Sequence, residues 1–69
     1  MKKIKKIKIK VNGRVNSIFE KTSLFKLANN LKIPLKKVAI ELNQQIIDKK
    51  KMKRIYLKKD DKVEIVHFI

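Results

Sequence analysis

The stretch from Asp61 to Ile69 constrains the fold more than any other part of the chain. It reads Asp-Lys-Val-Glu-Ile-Val-His-Phe-Ile, a run of β-branched and aromatic residues that follows an acidic turn. Such runs are typical of β-strands, so we expect the sequence to end on a strand. Alternation divides this strand into a core-facing set, Val63 and Ile65, and an opposite set, Glu64, Val66 and Phe68.

Two strands joined by a tight turn are predicted at the start of the chain. Apolar residues alternate with lysine from Ile7 to Val11, as in a half-buried strand. Asn12-Gly13 follows at once, and this dipeptide readily supplies the two positive φ angles of a type I′ turn. The chain from Arg14 to about Glu20 should therefore return antiparallel, with the less regular alternation of an edge strand.

The clearest helix follows this hairpin. Thr22 and Ser23 are candidate N-caps. The helix is expected to end at Lys32 or earlier, because Pro34 disfavours the α conformation in the residue before it. Its apolar residues recur at i, i+3, i+4 and i+7, the stripe of a helix packed on a core, and they are Leu24, Leu27, Ala28 and Leu31.

The second half of the chain predicts two further strands and a basic connection. Val38 to Leu42 alternates like a strand, Asn43-Gln44 makes a turn, and Gln45 to Ile47 forms a short partner strand. The lysine-rich segment from Asp48 to Arg54 is expected to be a loop or a single helical turn. Met52 and Ile55 should close the core beneath it.

This order of elements predicts an α+β fold. One amphipathic helix can bury its stripe against one face of a mixed sheet of four or five strands. The arrangement is the β-grasp, or ubiquitin-like, fold, in which the last strand lies parallel to the first in the middle of the sheet. Residues 1–69 contain no repeat or linker, so we expect a single β-grasp domain, too small to enclose a large active site.

Composition bears on partners and compartment. Twenty Lys and Arg against six Asp and Glu give a net charge of +14, which would attract nucleic acid or an anionic membrane. The basic residues are nearly all lysine and accompany many Ile and Asn, so AT-rich codon usage explains the charge better than a selected anion-binding surface. Neither nucleic acid nor a membrane is therefore an expected partner. The absence of Cys suits a cytoplasmic protein.

The residues needed for catalysis or metal binding are lacking. His67 is the single His, and the six acidic residues show neither paired nor metal-ligand spacing. A phosphate-binding loop needs several glycines, whereas Gly13 is alone. The sequence therefore predicts a protein that is not an enzyme, with no catalytic residues, no metal site and no bound cofactor.

Four segments have the same order and spacing as the corresponding segments of one known family. They are Val11-Asn12-Gly13, the helix from Thr22 to Leu31, the stretch from Val38 to Ile47, and the ending from Asp61 to Val66 with Phe68. Together they resemble the ThiS family, the sulfur carriers of thiamine biosynthesis. The resemblance implies a C-terminal glycine that a ThiF-type enzyme adenylates with ATP. The product becomes a thiocarboxylate, from which a ThiG-type thiazole synthase takes sulfur.

Three positions depart from that family pattern. Gln44 and Asp60 stand where the family has glycine in two turns, and Gln44 is the more awkward because Asp reaches positive φ more readily. The family also ends in Gly-Gly, which lets the tail pass a narrow channel to the α-phosphate of ATP, whereas this sequence ends at Phe68-Ile69. We expect that a natural tail is missing here, which makes Ile69 the last residue before the carrier terminus.

Two other functions stay open at this point. A non-carrying β-grasp adaptor would dock on thiazole synthase or a related partner through Val66 and Phe68, the candidate partner-binding residues of the carrier as well. A small basic nucleic-acid-binding protein would use lysine-rich strand faces, with Tyr56 as a candidate stacking residue. Four scattered aromatic residues make stacking the weaker hypothesis.

Overall fold

A computed structural model describes residues 4–68. In this part of the chain the five strands form one mixed sheet around which two 3₁₀ helices and one α-helix are arranged. The strands are β1 (Lys6–Val11), β2 (Arg14–Phe19), β3 (Val38–Leu42), β4 (Gln45–Ile46) and β5 (Lys62–His67). The helices are α1 (Leu24–Asn30), a first 3₁₀ helix (Leu35–Lys37) and a second 3₁₀ helix (Lys49–Arg54).

The last strand lies in the middle of the sheet, as predicted. The strand order is β2-β1-β5-β3-β4. β5 pairs parallel with β1, where Lys62 lies beside Lys10, and antiparallel with β3, where His67 lies beside Val38. This order, with one helix packed on a mixed sheet, confirms the predicted α+β, β-grasp fold. The second hairpin strand is confirmed too, although β4 has only two residues.

Helix α1 begins and ends where the sequence predicts. The Ser23 hydroxyl caps it by accepting a hydrogen bond from the backbone N–H of Lys26 at 3.0 Å. At the other end Lys32 takes a φ of 57°, the left-handed conformation that terminates many helices, two residues before Pro34. Leu31 was expected on the buried stripe but is the C-cap and is 39% exposed, because the helix stops before this position.

The core between α1 and the inner face of the sheet is apolar throughout the described chain. Met52 of the second 3₁₀ helix is fully buried and closes the core, as predicted. No polar or charged residue among 4–68 is buried. The buried side chains are Ile9, Val11, Leu24, Leu27, Ala28, Val38, Ile40, Met52, Leu57, Val63 and Ile65.

The other side of the sheet is its outer face, formed by the side chains that alternate with the core set. Most of them are exposed, and Ala39 and Glu41 are half-buried. Pairing across the strands brings together Val15, Ser17 and Phe19 of β2, Lys6, Lys8 and Lys10 of β1, Lys62, Glu64 and Val66 of β5, Ala39 and Glu41 of β3, and Ile46 of β4.

The Asn12-Gly13 turn adopts two positive φ angles, 49° and 81°, as predicted for type I′. Asn12 also binds the middle of β5. Its Oδ1 atom accepts a hydrogen bond from the Ile65 N–H at 2.6 Å, and its Nδ2 atom donates to the Ile65 carbonyl at 3.3 Å. The side chain therefore continues the pairing of β1 with β5 beyond the point where β1 turns away.

Replacing Asn12 with alanine is expected to lower the free energy of unfolding by about 2 kcal/mol, since it removes both hydrogen bonds and leaves a residue poorly suited to positive φ. Asn12→Gly removes the same hydrogen bonds but fits the turn, so we expect a loss of about 1 kcal/mol. Urea denaturation of both variants measures the difference. Equal losses of stability in the two variants would mean that the positive φ of the turn contributes nothing to the difference.

The second hairpin turn, Asn43-Gln44, also takes two positive φ angles, 50° and 71°. Gln44 therefore lies in the left-handed region, which is unfavourable for a residue with a Cβ atom. Asp60 lies in the same region, with a φ of 67°. Asn43 anchors this turn to the start of β5. Its Nδ2 atom donates to the Asp61 carboxylate at 3.0 Å, and its Oδ1 atom accepts from the Lys62 N–H at 2.9 Å.

The Gln44→Gly variant is expected to raise the free energy of unfolding by about 1 kcal/mol, because glycine adopts positive φ without the clash of a Cβ atom. Gln45→Gly is the matched control. Gln45 lies in β4, where glycine should lower stability by about 0.5 kcal/mol or more. Thermal unfolding of both variants tests this prediction. A Gln44→Gly protein no more stable than the unaltered chain would contradict the inference that Gln44 is strained.

Candidate functional site

The end of β5 is the candidate site, because the family resemblance predicts chemistry at the C-terminus. One residue beyond the strand, the Phe68 N–H donates a hydrogen bond to the Lys37 carbonyl at 3.0 Å. Sheet-like pairing therefore holds the backbone as far as Phe68. Ile69, the predicted residue before the carrier terminus, lies outside the described residues.

Backbone pairing on both sides makes β5 a rigid base. On one side the Asn12 N–H donates to the Val63 carbonyl at 2.8 Å, in line with the side-chain hydrogen bonds to Ile65. On the other side the strand pairs with β3 over five of its six residues, from Leu42 opposite Val63 to Val38 opposite His67. These pairings hold the backbone of β5 in place on both sides.

Val66 lies on the outer face of β5 and is 51% exposed. Its neighbour across the pairing with β3 is Ala39, and the next pair towards β4 is Glu64 beside Glu41. Ile46 of β4 lies opposite Glu41 and is 78% exposed. These five residues form one continuous area, which we call the β3 patch, with two carboxylates among apolar side chains.

Phe68 is 52% exposed and is in contact with the basic segment. The Lys49 Nζ atom lies 5.4 Å from the centre of the Phe68 ring, a cation–π distance, and the same ammonium donates a hydrogen bond to the Leu35 carbonyl. Lys49 therefore ties both 3₁₀ helices to the end of β5. It covers one part of the ring and leaves half of the side chain accessible.

Two residues beside the site have contacts that the sequence did not indicate. Ile46 and Ile47 are adjacent apolar residues, so alternation alone could not tell which one faces outward, and the pairing of Ile46 with Glu41 decides it. Lys49 is one of three consecutive lysines. No local signal distinguishes it from the other two, because its contacts with Leu35 and Phe68 exist only in the folded chain.

Other site chemistries find little support in the described residues. Within residues 4–68, no group of three or more His, Cys, Asp or Glu side chains could hold a metal ion. His67 is exposed at the rim of the sheet. No helix in the same part of the chain has the length and apolarity needed to cross a bilayer.

The aromatic residues do not form a stacking surface. Phe19 lies on the edge strand β2, Phe25 on α1 and Tyr56 in the connection to β5, where it bridges to Ser23. Phe68 lies beyond the end of β5. Successive nucleic-acid bases stack on neighbouring aromatic side chains, and these four lie on separate elements.

Comparison with known proteins bears on the family. The family model described as the ThiS family matches residues 9–69, which include every strand and helix after the first residues of β1. The chain belongs to the ThiS family. A crystal structure of a thiamine biosynthesis protein (ThiS) from Geobacter metallireducens has the same fold, with a TM-score of 0.83. It is 24% identical and is matched over 91% of this chain and 96% of that chain, whereas no curated protein matches.

Membership of the ThiS family confirms the resemblance that four segments of the sequence predicted. It supports the role of a small sulfur carrier in thiamine biosynthesis, which acts together with the enzymes of that pathway and is not itself a catalyst. The departures at Gln44 and Asp60 are compatible with the ThiS-family fold, since both residues take positive φ.

Proposed function

We propose that this ThiS-family chain carries sulfur as a C-terminal thiocarboxylate on a glycine tail that follows Ile69. The observation that supports the proposal is the placement of β5, a central strand whose pairing extends through Phe68. A carrier must present its terminus to successive active sites. A rigid base lowers the conformational entropy lost each time the tail enters one of them.

The reactions of the proposed cycle take place on partner enzymes. A ThiF-type enzyme transfers AMP from ATP to the terminal carboxylate and releases pyrophosphate. A sulfur donor then displaces AMP and leaves the thiocarboxylate, from which a ThiG-type thiazole synthase accepts sulfur. The only cofactor in this proposal is the ATP of the activating enzyme, and we propose the cytoplasm as the compartment because the chain has no Cys to form disulfides.

Val66 and Phe68 are the proposed partner contacts. Each is about half exposed, and each lies within a few residues of the terminus. Exposed apolar side chains that cluster on a small domain often mark an interface. The β3 patch extends this surface to Ala39 and Ile46, so that a partner holding the tail would also cover the outer face beside it.

The proposed cycle is tested by intact mass spectrometry of two chains, one ending at Ile69 and one with Gly-Gly added after Ile69. Both are incubated with ATP, the ThiF-type enzyme and a sulfur source. We expect the extended chain to gain the mass difference between sulfur and oxygen, and the shorter chain to stay unmodified. An Ala-Ala extension is the control for tail length. An extended chain that binds the enzymes but stays unmodified would favour the adaptor.

A further inference from the structure

Four lysines form a strip on the outer face of the sheet. Lys6, Lys8 and Lys10 of β1 all point outward, because Ile9 and Val11 are in the core. Lys62 of β5 lies directly beside Lys10 in the parallel pairing. Lysine side chains two residues apart on one strand leave the backbone about 7 Å from each other. Side chains of directly paired residues on neighbouring strands leave it about 4.8 Å apart. We call these four residues the lysine strip.

The lysine strip is unfavourable for an isolated sheet. Lysine is depleted in strands, and like charges on directly paired residues, such as Lys10 and Lys62, destabilise the pairing. A shallow depression lies beside three lysines of the strip, and its lining residues are Lys8, Ile9, Lys10, Val15, Asp60 and Lys62. Covering this depression with carboxylates would convert the repulsion between lysines into attraction.

The charge of the outer face changes sign across the sheet. The lysine strip occupies β1 and the start of β5, whereas Glu41 and Glu64 form a directly opposed pair in the β3 patch. A partner surface that is acidic opposite the lysine strip and basic opposite the β3 patch can dock in one orientation. Rotation by half a turn would bring carboxylates against Glu41 and Glu64, and like charges brought together at an interface disfavour the wrong arrangement.

We propose that the lysine strip docks an acidic strip on the surface of the activating enzyme and thereby sets the orientation in which the C-terminus approaches that enzyme. This inference rests on the proposed function. A second copy of the chain is a poor occupant, because each copy carries a net charge of +14. The strip has one exposed aromatic neighbour, Phe19, whose ring centre lies 5.3 Å from Lys6 Nζ. Nucleic acid would therefore lack a row of stacking partners.

The first test compares two variants that lose the same charge. One replaces Lys8, Lys10 and Lys62 with glutamine, and the control replaces Lys26, Lys50 and Lys51, which are exposed on α1 and on the second 3₁₀ helix that packs against it. Affinity for the ThiF-type enzyme is measured by calorimetry at low and physiological salt. We expect the strip variant to bind about tenfold more weakly at low salt, mainly through slower association, and the control about twofold. Equal losses in the two variants would overturn the inference, because net charge alone would explain them.

The second test identifies the chemistry of the partner surface. A carbodiimide joins a lysine amine directly to a carboxylate that touches it, so mass spectrometry of the cross-linked complex reports which lysines meet acidic residues. We expect cross-links from Lys8, Lys10 or Lys62 to Asp or Glu of the enzyme. Cross-links from Lys26, Lys50 or Lys51 alone would overturn the docking surface.

Two further outcomes separate this inference from its alternatives. If a single-stranded oligonucleotide binds at physiological salt and only the strip variant loses that binding, while enzyme affinity stays unchanged, the occupant is nucleic acid and the inference is wrong. If the Gly-Gly-extended chain does not bind the enzyme at all, the proposed function fails and the docking surface fails with it. If the Gly-Gly-extended chain binds and is modified while strip and control variants of the same extended chain behave alike, the proposed function stands and only the strip is refuted.

Discussion

The Val66→Asp variant is expected to bind the activating enzyme about 100-fold more weakly than the unaltered chain, which corresponds to roughly 3 kcal/mol. Val66 is half exposed on the outer face, beside Ala39 and within the same patch as Glu41 and Glu64. An aspartate here would add a third carboxylate to the patch and would lose its water when a partner covers it. Calorimetric titration of the enzyme with each chain measures the change.

The folded state should tolerate this substitution. Because the side chain of Val66 lies outside the core, the substitution should lower the free energy of unfolding by no more than about 1 kcal/mol, the range of strand propensities. Tyr56→Asp is the matched control, since Tyr56 is 58% exposed but lies outside the outer face. Normal enzyme binding by both variants would show that the β3 patch is not a contact surface. A loss in both would point to charge alone.

The Ile40→Ala variant is expected to lose about 3 kcal/mol of stability, because it opens a cavity in a closely packed core. Ile40 is 1% exposed and lies in β3 directly beside Ile65 of β5, so the cavity would sit under the strand that leads to the C-terminus. A domain of this length has a total stability of about 3–10 kcal/mol. The variant should therefore be partly unfolded, and urea denaturation followed by circular dichroism measures the loss.

Val15→Ala is the control for this experiment. Val15 is also a β-branched residue in a strand, but it is 63% exposed on the edge strand β2, and its truncation should cost about 0.5 kcal/mol or less. A loss below about 1 kcal/mol in Ile40→Ala would show that the core collapses around the missing atoms. Such a result would also indicate that β5 is less firmly held than its pairing implies.

Much of the fold could be predicted because its signals are local. Asn12-Gly13 specifies a turn whose two positive φ angles few other dipeptides adopt, and Ser23 marks the first turn of α1 with its own hydroxyl. The alternation in β1, β3 and β5 identifies the core side chains one by one. The β-grasp order then follows, since one helix stripe and one apolar sheet face have few ways to cover each other.

The candidate site was predictable in part. Val66 could be placed on the outer face by counting along the final strand, since every second residue changes sides. The contacts of Phe68 could not, because Lys49 and Lys37 reach it from sequence positions nineteen and thirty-one residues away. Partner binding by Val66 and Phe68 stays a prediction that the experiments above test.

The sequence by itself determined the five strands, helix α1, their order and the family, because each depends on residues that are neighbours along the chain. Only the tertiary structure decided which side chains share a surface. The lysine strip joins β1 to β5, whose residues Lys10 and Lys62 are fifty-two positions apart in sequence. The β3 patch joins Ile46 to Val66 through the register of three strands. The register of β5 against β1 and β3 relates residues far apart along the chain, so no local turn fixes it, unlike the register within each hairpin.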